Sequence, residues 1–297
     1  MQQGRGLMTK PVVINIGWAR SASTAFRHNF LMRHPRILAV DRDQSLSEGP
    51  MAEVVQYIKS VSDSEFERYL PALRSEWAAY AHNHHDRIIC VTDEELSIGM
   101  LNTGVAPTTI AARCGQLFQG ARTLAIVRDQ VDAIRSFYAL SQRNGHTPGL
   151  SLSDWVQRFF LNPKEGENFC YLFSYMTTLR AYLEWQPKRD VFVLLHDRLN
   201  TEHAAVYREI ARWLGISEEA CALLRNDRVN VSPPIPVRAA QVSCGGSESI
   251  GEQHALNEYA AGQEVGIRAL FERDNMELER EFGVVFSPED ANVQRAL

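Results

Sequence analysis

The sequence predicts an α/β protein: a central, mainly parallel β-sheet flanked by helices. Short β-branched runs recur along the chain, each ends at a turn or a charged residue, and helical periodicity fills the intervals between them. Apolar runs this short suit strands buried on both faces, as in parallel sheets. With 45% hydrophobic and 23% charged residues in 297, the chain has the apolar surface for a sizeable core and is not of the disordered type.

Taken in order, Val12-Val13-Ile14-Asn15-Ile16 is the first strand and stops at Gly17. A Ser/Thr-rich turn leads into a helix over about residues 24–33, stopped by His34-Pro35. Residues 37–40 form a second strand, followed by a polar loop over 41–49. Helical patterns cover 51–60 and 64–81, the latter interrupted by Pro71. The third strand, 87–92, ends in Asp93-Glu94-Glu95. Residues 107–118 read as a helix with proline in its first turn. The fourth strand, 123–127, runs into Arg128 and a helix over 129–143. Helices at 152–160 and 168–185, a strand at 191–195 and a helix at 202–214 ending at Gly215 follow. Residues 226–252, with Pro233-Pro234-Ile235-Pro236 and Cys244-Gly245-Gly246, are too long for an ordinary connection and read as functional or mobile. A helix over about 257–282 closes the chain. No internal repeat or low-complexity tract interrupts it. The expectation is one domain over 1–297, with its core at about 11–285 and a long loop at 226–256.

Net charge is −5, which argues against broad binding to nucleic acid or an anionic membrane. An anion site must then be a local pocket. The five cysteines (Cys90, Cys114, Cys170, Cys221, Cys244) are scattered and include no C-x-x-C pair, the pattern of reduced thiols in a cytosolic protein. The first ten residues lack the apolar run of a signal peptide, and 12–16 are too few to span a bilayer. The expected localisation is cytoplasmic, and the sequon Asn230-Val231-Ser232 is read as incidental.

Gly17-Trp18-Ala19-Arg20-Ser21-Ala22-Ser23-Thr24 lies between strand and helix, where backbone N–H groups and the helix dipole favour an anion. Ser21, Ser23 and Thr24 add hydroxyl donors, and Arg20 adds a permanent charge. It is not a Walker A loop, because Ala22 and Ser23 stand at the second glycine and the lysine of that motif. Ordinary ATP or GTP hydrolysis is therefore disfavoured. Helix capping explains one of these hydroxyls but not three with an arginine. A second anchor is Arg128, at the end of a strand, with Ser136 about two turns along the next helix. Read alone, Arg128 could equally serve a neighbouring carbonyl.

Together the two segments resemble the motifs of sulfotransferases that use 3′-phosphoadenosine-5′-phosphosulfate (PAPS). Arg20-Ser21-Ala22-Ser23-Thr24 is similar to their 5′-phosphosulfate loop. Arg128, Asp129, Asp132, Ser136 and Tyr138 fall in register with their 3′-phosphate motif. His34-Pro35, and a late strand and helix ending in Leu214-Gly215, also match. Ala19, Ala22, Gln130 and Ala133 depart from the pattern; Ala22 replaces a glycine and is expected to need a negative φ.

The resemblance implies a P-loop-like sulfotransferase architecture and transfer of a sulfuryl group to a hydroxyl or amine acceptor, a carbohydrate or small molecule. It implies no metal. Arg20 would contact the transferring sulfonate. Ser21, Ala22, Ser23 and Thr24 would hold the 5′-phosphosulfate, Arg128 and Ser136 the 3′-phosphate, and Arg238 in the late loop a phosphate. A general base is needed, and Glu48 and Glu94 are its candidates, with Asp41, Asp43, Asp93 and Glu95 as loop neighbours. Trp18 is a candidate adenine platform, and Trp213 reads as core. The cluster His82, His84, His85 reads as a solvated helix end, not a metal site. Two other functions fit the sequence: a nucleotide or small-molecule kinase with a degenerate phosphate loop, and a binding protein of this fold that does not catalyse.

Overall fold

The computed structural model describes residues 12–18, 20–41, 50–98, 105–147, 149–165, 167–224 and 258–286. Its strands are β1 (Val13–Gly17), β2 (Ile37–Asp41), β3 (Ile88–Thr92), β4 (Arg122–Val127) and β5 (Val191–Leu195). They form one sheet in the order β2-β3-β1-β4-β5, and every pairing is parallel. The expected fold class is therefore the observed one. β1 lies at the centre, with Ile14 opposite Val91 of β3 and Thr123 of β4. The chain leaves β1 for one side of the sheet and leaves β4 for the other. The topological switch point thus falls at the carboxyl ends of these two neighbours, where open α/β sheets bind ligands.

The helices are α1 (Ser23–Phe26, continued by a π-type turn over Arg27–Leu31), α2 (Pro50–Ser60), α3 (Asp63–Asn83), α4 (Glu95–Ile98), α5 (Pro107–Leu117), α6 (Gln130–Arg143), α7 (Leu152–Val156, continued by a π-type turn over Gln157–Leu161), α8 (Tyr175–Leu183), α9 (His196–Thr201), α10 (His203–Leu214) and α11 (Gln263–Phe282). Two compact units result: Met1–Val127 with Thr177–Val229, and Arg128–Met176 with Asn230–Leu297.

The first unit holds the whole sheet. One face packs on Phe26, Phe30 and the apolar stripe Val206, Tyr207, Ile210, Ala211 and Leu214 of α10, the spacing of an amphipathic helix. All of β1 and β3 is buried, as an apolar run covered on both faces should be. The polar residue within β1, Asn15, is accommodated because its Nδ2 donates to Thr92 Oγ1 at 2.8 Å across the β1–β3 ladder. Helix α3 begins with a capping box, Ser62 and Glu65. It runs unbroken through Pro71, contrary to the expected interruption. Pro71 is exposed, so the carbonyl freed by its missing N–H can be met by water.

The second unit is organised by aromatic packing. Trp155 is fully buried and contacts Phe137, Tyr138, Phe159, Phe160 and Phe169 at centroid distances of 5.2–6.2 Å. The helix expected over 168–185 is broken. A 3-10 turn at Cys170–Phe173 precedes α8, and the Met176 N–H donates to Asp274 of α11 at 3.1 Å. The last helix starts later than expected, after Gly262 at φ 82°.

Asp129 caps α6 by accepting from the N–H of Val131 at 3.0 Å, while its second oxygen accepts from Arg268 at 2.8 Å. Asp129→Ala removes both and is expected to cost about 1–2 kcal/mol, measured by urea denaturation.

Candidate functional site

The site begins where β1 ends. A Cβ on Gly17 would lie 2.3 Å from Ser23 Cβ, so only glycine lets the start of α1 fold back on the strand. The turn is tied by the N–H of Ser21, which donates to the Trp18 carbonyl at 3.0 Å, and by Ser21 Oγ, which donates to the same oxygen at 2.7 Å. Arg20 and Ala22 flank Ser21 with φ of 67° and 63°, both left-handed, while Ser21 keeps a negative φ. Two left-handed residues on either side of a buried serine set a sharp turn at the start of α1. Ala22 is the N-cap of α1 and, as an alanine, has no oxygen to offer the first-turn amides.

The negative φ expected for Ala22 is therefore corrected: it occupies the position at which the resembling motif carries glycine. A left-handed alanine costs about 1–2 kcal/mol, and such strain gathers at functional sites. The three hydroxyls are not equivalent. Ser21 is 1% exposed and serves the turn. Ser23 Oγ donates to Glu94 Oε1 at 2.5 Å. Thr24 is half-buried in the first turn of α1.

The acidic triplet after β3 is sorted by a buried lysine that no motif singles out. Lys59, in the last turn of α2, is 1% exposed; its Nζ lies 2.6 Å from Asp93 Oδ2 and 2.5 Å from Glu95 Oε2. Asp93 Oδ1 also accepts the N–H of Glu95 at 2.9 Å. Of the three carboxylates, Glu94 is the one bonded to Ser23. It is exposed to solvent, yet the protein crowded around it displaces enough water to raise its pKa. The Ser23 hydrogen bond lowers the pKa, neighbouring Asp93 raises it, and Arg20 and Arg27 lower it without reversing the balance. Arg27 is a second cation that the sequence reading passed over. The carboxylate can thus exchange a proton beside two guanidinium groups.

Below this turn, α4 is pinned from three directions. Ser97 Oγ lies 3.1 Å from the Gly17 carbonyl, Thr178 Oγ1 donates to the Ser97 carbonyl at 3.0 Å, and Tyr182 OH donates to the Leu96 carbonyl at 3.0 Å.

In the second unit, the Arg128 carbonyl accepts from Tyr175 OH at 2.7 Å, and both Arg128 and Ser136 are half-buried. Tyr138, in register with the second motif, donates its hydroxyl to the Leu150 carbonyl at 2.7 Å. Trp18 is 0% exposed, so it is a core residue and not an adenine platform. Trp213 is half-buried and donates its ring N–H to the Arg189 carbonyl at 3.0 Å. Glu48, Arg238, Ala19 and Asp43 lie outside the described residues. Among the described residues, no group of three or more His, Cys, Asp or Glu side chains could hold a metal, and no helix is long and apolar enough to cross a membrane.

Among solved structures, a sulfotransferase from Alicyclobacillus acidocaldarius matches with a TM-score of 0.57 and 14% identity, over 93% of this chain and 97% of that one. This chain has a sulfotransferase fold. The sulfotransferase domain of the Synechococcus PCC 7002 olefin synthase matches with a TM-score of 0.44 and 14% identity, over 74% of this chain and 80% of that one. That of the curacin biosynthetic pathway matches at 0.44 and 12%, over 70% and 74%. No family model and no curated protein matches the sequence.

Two outcomes follow. Ala22→Gly relieves the left-handed alanine and should stabilise the protein by about 0.5–1 kcal/mol in urea denaturation, the gain being tempered by the looser unfolded chain. The pKa of Glu94 is raised on folding from its ordinary 4.5, so above that pH the native state holds the proton that the unfolded chain has lost. Its contribution to stability therefore falls as pH climbs from 4.5 through the raised value. Glu94→Gln should flatten that slope in melting temperature against pH, and an unchanged slope would refute the assignment.

Proposed function

We propose that the chain is a PAPS-dependent sulfotransferase that moves the sulfuryl group to a hydroxyl or amine acceptor. The observation that carries this reading is the Ser23–Glu94 hydrogen bond at 2.5 Å, which joins a carboxylate of raised pKa from the turn after β3 to the loop after β1. The fold and the two motifs in register support it.

In this reading the acceptor oxygen or nitrogen attacks sulfur. The bond from sulfur to the bridging phosphate oxygen breaks, and the desulfated nucleotide leaves with the electron pair. Arg20 is assigned by the motif to the place where that negative charge would grow, and a fixed guanidinium there would stabilise the transition state more than the ground state. Glu94 would take the acceptor's proton, for which a raised carboxylate pKa is the useful direction. Thr24 and the amides of the turn would hold the phosphosulfate, with Ser23 shared between nucleotide and base. Arg128 and Ser136 are assigned the 3′-phosphate by the motif alone. The chemistry needs no metal. The protein would be a soluble enzyme of the cytoplasm, and its acceptor a carbohydrate or small molecule.

A second reading is kept by one observation, the alanine at left-handed position 22: a binding protein of this fold that grips the nucleotide without transferring sulfate.

Calorimetry should find the desulfated nucleotide binding at least about tenfold more tightly than ADP, with no requirement for magnesium, and Arg128→Ala should erase the preference. Magnesium-dependent binding of ADP at equal affinity would overturn the proposal in favour of a kinase. With labelled PAPS and a panel of glycans, phenols and amines, Arg20→Ala should lower turnover by about 100-fold or more. Nucleotide affinity without turnover on any acceptor would establish the second reading.

A further inference from the structure

Three consecutive carboxylates at the end of a buried strand repel one another, and nothing in their sequence says which one turns toward the phosphate loop. The structure answers through Lys59. Its ammonium is buried at the carboxyl end of α2, where the helix dipole favours a cation. It bonds to Asp93 and Glu95, the first and third members of the triplet. With residues 93 and 95 held on one ammonium, the side chain between them is directed away, and Glu94 meets Ser23.

We infer that Lys59 is a positioning residue for Glu94: by binding the two flanking carboxylates it selects which member of the triplet faces the loop, and it offsets their charge so that Glu94 can still ionise. The inference concerns the same site as the proposed transfer reaction and rests on that reading only for its effect on turnover.

The charges around Glu94 are consistent with this role. Asp93 disfavours its ionised form, while Arg20 and Arg27 favour it. Lys59 neutralises the acid next in sequence to Glu94 on either side. Without the ammonium, Asp93 and Glu95 would be left without their shared cation, and one or both would turn toward solvent or toward the arginines that now serve Glu94. A purely structural lysine, by contrast, could be lost from a protein that still folds without altering how Glu94 binds its proton.

The test uses the full-length chain. Carbon-13 NMR of labelled glutamate carboxyls, with Glu94 assigned by its Gln variant, gives its titration midpoint without nucleotide. Lys59→Met should move that midpoint upward. Where Lys59→Met leaves too little folded protein, Lys59→Gln with Glu95→Gln is the companion: it keeps the net charge of the cluster but removes the ammonium clamp. It should still change the pH at which Glu94 titrates and abolish the short Ser23–Glu94 contact. An unchanged Glu94 midpoint in either folded variant overturns the inference.

The turnover arm separates this inference from the functional one. If the wild-type protein transfers sulfate, both variants should lose about tenfold or more in kcat, with a displaced pH profile and nucleotide affinity held within about threefold. If the wild type does not transfer sulfate, the functional reading fails and the NMR result still decides the role of Lys59.

Discussion

Everything at the candidate site depends on one close approach. The loop leaving the central strand can fold back on it because Gly17 has no side chain, and the space a methyl group would take is filled by Ser23. That contact fixes where α1 starts, and the start of α1 fixes the hydroxyl that reaches across to the turn after β3. The parallel order of β3, β1 and β4 brings the ends of these strands side by side. A central strand, a neighbour bearing acids and a loop bearing bases are therefore consequences of one topology.

The electrostatics follow the same economy. Two arginines, Arg20 and Arg27, act on the turn, yet a carboxylate stands beside them. Burial alone would suppress its charge; Arg20 and Arg27 work against that, and the paired Asp93 and Glu95 are occupied elsewhere. The result is a carboxyl group whose protonation is balanced between opposing influences. The left-handed Ala22 is the counterpart in backbone terms, with conformational strain held in place by the surrounding hydrogen bonds.

Much of this could be read from the residues. Short β-branched runs marked all five strands to within a residue or two, because strands buried on both faces carry an unambiguous apolar signature. The turn after β1 was legible from its dense hydroxyls and its arginine. Local pattern could not reveal long-range pairing. Lys59 precedes its carboxylate partners by more than thirty residues, and only the fold brings them together. Trp18 looked available from its place beside the loop, but its ring lies in the core. Pro71 signalled a break that an exposed helix face made unnecessary, and the segment over 168–185 looked continuous because the carboxylate that caps its second half, Asp274, comes from nearly a hundred residues downstream.

That distant cap has a consequence for biosynthesis. Helix α11 supplies Asp274 to the start of α8, and Arg268 and Asn275 to the start of α6, beside Arg128. The arginine-bearing segment is translated well over a hundred residues ahead of the helix that stabilises it. A nascent chain halted before α11 would own every residue of both motifs and still lack the second one in finished form.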